Sequence, residues 1–275
     1  MSDVTIVVAT RDRAAELRRS LARHTAPVIV VDNASADGTA EVARRAGARV
    51  LRLPDNRGAA ARNLGVREAP TRYVAFADDD SWWAPGALEH AAAVLDAHPG
   101  TALVAARVLV GEREHLEPVS EHMARSPLGM PDGLPGRAIL GFLACSAVVR
   151  RDAFLGVGGF SGTLHFAGEE ELLALDLAAA GWGLAYLPEL VVHHHPSPDR
   201  PGASHRRRRE ARNRLLTAWL RRPLATCART ALASLATAEG RGGLADAARM
   251  WPQVARARRR LPPDVERARA SLDRY

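Results

Sequence analysis

Asp78, Asp79 and Asp80 stand in a row directly after the apolar run Tyr73-Val74-Ala75-Phe76-Ala77, and Trp82-Trp83 follows after Ser81. Three adjacent carboxylates repel one another unless a cation or hydrogen-bond donors compensate them. An isolated acidic run is ordinarily a solvated turn. This one sits where a buried strand leaves the core, and open α/β sheets bind ligands at such carboxyl ends. Along extended backbone Asp78 and Asp80 point the same way, so they could clamp a divalent cation through oxygen. A cation held there would bridge a diphosphate.

Two further strand ends carry polar groups: Thr10-Arg11-Asp12-Arg13 and Asp32-Asn33. Neighbouring parallel strands would bring these to the same crevice, with Asp32 able to accept hydrogen bonds from a base or a ribose. Asp32-Asn33 reads equally well as a helix-capping turn. Asn56-Arg57-Gly58 and Ala61-Arg62-Asn63 open a helix with two arginines near its N-terminus, where phosphate oxygens are favoured by the dipole and by guanidinium forks. The chain contains no lysine, so a GxxxxGK phosphate loop cannot be complete, which argues against a P-loop ATPase.

Glu169-Glu170-Glu171 begins a helix after Gly168. Acids favour a first turn for dipole reasons alone. The chemical use would be a carboxylate base, kept basic by apolar neighbours such as Phe166 and Trp182. In His193-His194-His195 adjacent side chains point to opposite faces, so at most His193 and His195 converge. That disfavours a zinc site built from the cluster. One histidine completing a carboxylate-bound Mn²⁺ or Mg²⁺ site is the more plausible use.

Short strands ending near residues 9, 32, 53 and 77 alternate with helical patterns over 37–46, 59–68 and 84–97, which means βαβ units and a parallel sheet. Residues 111–137 read as a long irregular excursion. Strand resumes over 142–149 and, in two short pieces, at Tyr186-Leu187 and Val191-Val192, with a helix over 168–180 between them.

The net charge of +7 is unevenly spread: residues 1–199 carry 19 arginines against 25 carboxylates, residues 200–275 carry 19 against six. A mildly acidic domain of 1–199 with a basic helical extension of 200–275 follows. That pattern, with no aromatic interleaving in the Arg206–Arg209 run, argues against nucleic-acid binding. Two distant cysteines form no framework, the chain enters a strand at once, and no apolar stretch approaches a membrane span. The expectation is a cytoplasmic protein.

Seven blocks, TIVVATRDR, VIVVDNASADGT, NRGAAARNLGVREA, YVAFADDDSWW, VGGF, GEEELLALDLAAAGW and YLPELVVHH, resemble family 2 glycosyltransferases, in that family's order, from residue 4 to about 197. The resemblance implies the GT-A fold, a Rossmann-like, mostly parallel sheet flanked by helices. It also implies a nucleotide-diphospho-sugar donor, a hydroxyl acceptor, a divalent cation (Mn²⁺ or Mg²⁺) and inversion at the anomeric carbon. By position, Thr10, Arg11 and Asp32 match nucleotide contacts and Arg62 a ribose–phosphate arginine. Asp78 and Asp80 match the acids of a DxD motif with Asp79 as its middle, Glu170 matches the base with Glu169 before it, and His194 the late histidine. Arg13, Asn33, Arg57, Gly58 and Asn63 complete the expected donor-binding set. Leu172 and Asp176 depart from the family's pattern, which bears on the acceptor, and glutamate at 170 leaves Glu169 or Glu171 as alternative bases.

The basic extension reads as helices that either cover the catalytic domain or dock on an anionic membrane, the latter useful for a lipid-linked acceptor. Three rival functions share these features: a nucleotidyltransferase of the same fold, a catalytically silent nucleotide-sugar-binding scaffold, and a zinc hydrolase.

Overall fold

The computed structural model describes residues 3–197 and 203–275, so the expected boundary between residues 199 and 200 lies outside the described residues. Ten strands form one sheet: β1 Val4–Thr10, β2 Val28–Asp32, β3 Arg49–Arg52, β4 Tyr73–Ala77, β5 Ser81–Trp83, β6 Thr101–Val110, β7 His115–Leu116, β8 Arg137–Ala138, β9 Ala147–Arg150 and β10 Gly183–His194. Their spatial order is β3-β2-β1-β4-β9-β6-β10-β5, with β7 beside β6 and β8 beside β10.

The half containing β3, β2, β1 and β4 is parallel, as the βαβ pattern requires. β1 and β4 are almost wholly buried and mostly apolar because both sheet faces are covered. Val7, Ile29, Val74 and Phe76 pack one face, towards Phe154, Phe160 and the helix Glu169–Ala179. Ile6, Val8, Val30 and Ala75 pack the other, with Leu17, Leu88 and Leu95 of the helices Ala14–Leu21 and Ala87–Ala97.

The second half departs from simple alternation. β9 runs antiparallel between β4 and β6, which joins the two parallel blocks. The run 142–149 does not extend throughout: Ala144–Ser146 make a 3-10 turn, closed by the Ser146 hydroxyl donating to the Leu143 carbonyl, before β9 starts. The two late pieces are one strand, β10, with a register shift between Leu187 and Val191 where Pro188 lacks an N–H. The excursion 111–137 contains β7, β8 and the helix Pro118–Ala124, capped by Glu117.

Residues after 203 are helical and pack against the sheet domain. Leu215, Leu216 and Leu220 of the helix Ala203–Arg221 meet Leu164 and Leu172, and Leu261 and Val265 meet Leu140 and Leu175. Ion pairs Arg221–Asp176 and Arg269–Glu171 reinforce the junction. No helix among the described residues is long and apolar enough to cross a membrane.

Candidate active site

The strand ends converge as the sheet topology demands. Thr10 and Asp32 are register partners at the ends of β1 and β2, and Ala77 ends β4 one strand away. The Thr10 hydroxyl donates to Asp79 across 2.7 Å, and Arg13 reaches Asp79 at 3.2 Å and Asp80 at 3.4 Å. Burial pushes the Asp79 carboxyl up to about 6, with the Thr10 hydrogen bond opposing and the charges of Asp80 and Asp78 reinforcing.

β5 folds back from the aspartates to pair antiparallel with the end of β10, setting His194 opposite Ser81. That register brings the His194 imidazole within 3.1 Å of Asp80. Burial alone would raise Asp80, but His194, Arg13 and the Ser197 backbone hold it below the ordinary carboxylate range. His193 and His195 fall on the opposite face, where their rings lie 5.5 and 4.7 Å from that of Trp82, whose indole also carries the Arg23 guanidinium at 4.2 Å. One histidine therefore joins the acids. Ligand atoms of Asp78, Asp80 and His194 all lie within 4.8 Å of one another, a set of two carboxylates and one imidazole that fits a six-coordinate divalent cation with sites left for oxygen ligands.

Arg62 is the charge at the centre. It is 5% exposed and donates to Asp78 across 2.5 Å, with its guanidinium 5.8 Å from the Phe160 ring. Burial would lower its pKa, but Asp78, Glu169 and Glu170 together raise it. Phe160 is held by Phe76 and Phe154 at 5.3 and 5.5 Å. Asn63, next in the chain, exchanges two hydrogen bonds with the Phe160 backbone.

Glu169 and Glu170 sit at the N-terminus of the helix Glu169–Ala179, following Ala167 and Gly168 in left-handed conformations. Burial and then the charge of Glu170 push the Glu169 carboxyl up to about 8, and its Oε2 has no hydrogen-bond partner among the described residues. Glu170 is also raised by burial, partly offset by backbone N–H groups, Ala144's included, and by Arg62. Of the two apolar neighbours expected there, Phe166 is 52% exposed, and Trp182 packs against the core beyond the far end of this helix. Glu171 points away to Arg269 at 2.7 Å.

The remaining sequence candidates divide. Asp32 is fully buried; its Oδ1 accepts from the Ser35 N–H while Oδ2 has no hydrogen-bond partner among the described residues, with Arg52 Nε 3.3 Å away. Asn33 clasps the next loop, accepting from the Arg57 N–H at 2.8 Å and donating to the Gly58 carbonyl at 3.1 Å. Gly58, at φ +57°, lies against His165, whose carbonyl accepts from the Ala59 N–H. The side chains of Arg11 and Arg57 are about half exposed and pair with Asp12 and Asp55.

Three participants carry no sequence signal of their own. The Ala144–Ser146 turn borders Glu170 only because β9 inserts beside β4. His165 meets Gly58 across a distance of 107 residues. Asn213, in the extension, donates to the carbonyls of Leu164, Phe166 and Ala167 at 2.6–3.0 Å and so braces the loop that leads into Glu169.

The profile of glycosyl transferase family 2 matches residues 5–158. Curated relatives named pre-mycofactocin glycosyltransferase, from two strains of Mycobacterium tuberculosis, are 36% identical over 208 residues. The match takes in 70% of this chain and 43% of theirs, so the chain spans under half the length of those relatives. Among solved structures, a mannosyltransferase from Pyrobaculum calidifontis in complex with GDP-Man and Mn²⁺ is similar at a TM-score of 0.63 and 22% identity, over 90% of this chain and 75% of that one. S. aureus TarS 1-349 in complex with UDP-GlcNAc is similar at 0.57 and 18%, over 78% and 66%. GalNAc-T7 with UDP, GalNAc and Mn²⁺ is similar at 0.61 and 14%, over 79% and 47%. The sheet and its flanking helices have the GT-A fold of these proteins, and the chain belongs to glycosyl transferase family 2.

Proposed function

We propose that this chain is an inverting glycosyltransferase that moves a sugar from a nucleotide-diphospho-sugar to an acceptor hydroxyl. The observation that carries the proposal is the meeting of Asp78, Asp80 and His194 with the carboxylate pair Glu169–Glu170 around one buried arginine, Arg62. The complexes of the solved relatives with GDP-Man, UDP-GlcNAc or UDP support the donor class, and Mn²⁺ in two of them supports the cation.

In this proposal Asp32, whose buried Oδ2 faces Arg52 but accepts no hydrogen bond among the described residues, receives the base or ribose of the donor, beside Thr10. Asp78, Asp80 and His194 would hold Mn²⁺ or Mg²⁺, which when bound neutralises charge growing on the departing diphosphate. Arg62, kept charged by three carboxylates, adds a fixed positive field beside the same oxygens. Glu170 takes the proton of the acceptor hydroxyl as its oxygen forms a bond to the anomeric carbon. The bond from that carbon to the diphosphate breaks on the opposite face, which inverts the centre. Positioned proton transfer is worth about 10²–10⁴-fold. A base raised above the ordinary carboxylate range is better matched to a hydroxyl than an exposed glutamate would be.

Residues 1–199 form the catalytic unit in this account, and 200–275 an extension that braces it through Asn213, Arg221 and Arg269. Exposed Leu224, Leu232 and Trp251 in that basic extension support contact with an anionic membrane surface. The acceptor is a glycan, a lipid-linked or a small-molecule hydroxyl, and the names of the curated relatives make pre-mycofactocin the first acceptor to try.

The test is release of nucleoside diphosphate from a panel of nucleotide sugars, with Mn²⁺ and candidate acceptors. Turnover of one donor, abolished in Glu170→Gln, supports transfer. Tight donor binding with no turnover on any acceptor would instead favour the silent donor-binding scaffold.

A further inference from the structure

A second concave site lies outside the donor crevice, in the extension. It encloses about 360 Å³ between the helices Ala203–Arg221, Leu224–Ser234 and Pro263–Leu272, with Glu171 contributing to its wall. That volume lies within the range of small-molecule sites.

Its charged lining is four arginines and two carboxylates: Arg214, Arg222, Arg229, Arg269, Glu171 and Asp273. Two of the arginines are committed. Arg222, 5% exposed, pairs with Glu266 and Asp273 at 2.8 Å each, and Arg269 with Glu171 at 2.7 Å and Asp273 at 2.5 Å. The other two are not compensated. Arg214 makes no ion pair or hydrogen bond among the described residues, and Arg229 reaches only the Thr226 hydroxyl, at 3.5 Å. The hydroxyls of Thr230 and Ser234 donate to carbonyls of their own helix, so the two guanidinium groups are the charged donors free to meet a ligand.

Two uncompensated guanidiniums facing one cavity match a dianion with several oxygens, because each fork can engage two oxygens at once. We propose that this cavity binds a phosphoryl group between Arg214 and Arg229, at a site separate from the donor crevice and independent of whether the chain transfers sugar. Two sources share that chemistry: a soluble phosphorylated molecule or the phosphate of a lipid. The lipid source has a motive in the same helix. Leu232, three residues on from Arg229 and so beside it on the helix, is 69% exposed, and Leu224 at the helix start is 74% exposed, which offers an acyl chain apolar surface.

The experiment is calorimetric titration of the full chain with inorganic phosphate and pyrophosphate, in chelator to exclude the cation site. Wild type, Asp80→Ala and the double variant Arg214→Gln/Arg229→Gln are compared. Both arginines are exposed, so the double variant should keep the wild-type Tm and its Mn²⁺-dependent nucleotide binding. Phosphate affinity should fall tenfold or more in the double variant and stay unchanged in Asp80→Ala. A parallel arm measures sedimentation with phosphatidylglycerol and phosphatidylcholine vesicles. Binding to the anionic vesicles that phosphate displaces, and that the double variant loses, assigns the lipid source. Arginine-dependent phosphate binding without vesicle binding assigns the soluble one. Equal affinity in wild type and double variant, or no binding of any probe, would overturn the proposal.

Discussion

Asn213 donates its side-chain amide to the Ala167 carbonyl at 2.6 Å, two positions before Glu169. The basic extension is therefore tied to the loop that leads into Glu169 and Glu170. Asn213 is 2% exposed and also reaches the carbonyls of Leu164 and Phe166. Substitution by alanine removes the donor to the Phe166 and Ala167 carbonyls, at about 0.5–1.5 kcal/mol for each hydrogen bond. Asn213→Ala should lower Tm and reduce kcat while leaving the donor Kd near wild type, a split that paired melting, calorimetric and turnover measurements can read.

Arg62 and the glutamates share one charge balance. Because burial raises both carboxyls and Arg62 opposes that rise, activity should climb with pH above the range of an ordinary carboxylate. Arg62→Ala should shift that limb to still higher pH and weaken donor binding about tenfold or more. Glu170→Gln should abolish the limb and cut kcat by about 10²–10⁴-fold, with donor binding retained. A pH–rate profile unmoved by Arg62→Ala would contradict the assignment.

Stability should carry the same signature. Glu169 titrates at 4.5 when unperturbed and at about 8 in the fold, so between those values the folded state binds more protons than the unfolded. Stability is then greatest below pH 4.5 as far as this group is concerned, falls as pH rises towards 8, and levels off above. The amplitude is on the order of a few kcal/mol. Glu169→Gln should flatten that slope in thermal melts from pH 5 to 9; parallel curves for the two proteins would count against a buried, raised Glu169.

Gly58 is a steric requirement. A Cβ there would come within 2.0 Å of the His165 carbonyl oxygen and 1.9 Å of its Nδ1, at φ +57°. Gly58→Ala must push apart the loop held by Asn33 and the one leading to Glu169. Backbone strain of this kind costs about 1–3 kcal/mol. A lower Tm together with weaker donor binding is expected, whereas Gly38→Ala, with open space around its Cβ, should leave both unchanged.

Much of the site was legible because it is local. Strand ends at Thr10, Asp32 and Asp78 follow from apolar runs, and parallel pairing brings them to one edge. Periodicity does not choose among the three histidines and the family resemblance points to His194; the register of β5 on β10, a pairing set by tertiary packing, is what brings its ring to Asp80. β6 went unread because Thr101–Val110 is buried on both faces and shows no alternation. Trp182 does not reach Glu170, because helix geometry sends it to the far end, while the Ala144 backbone, whose hydrogen bond opposes the rise of Glu170, arrives from a distant part of the chain. Asn213 and His165 act through single long-range contacts, which leave no pattern in composition or spacing.

The central claim is that Asp78, Asp80 and His194 hold a cation that recruits a nucleotide diphosphate. Calorimetric titration of wild type and Asp80→Ala with nucleoside diphosphates and nucleotide sugars, with and without Mn²⁺, tests it most directly. Cation-dependent binding of one donor, lost in Asp80→Ala, is the predicted result. Binding that is indifferent to Mn²⁺ and to Asp80, or no binding of any nucleotide, would contradict the account.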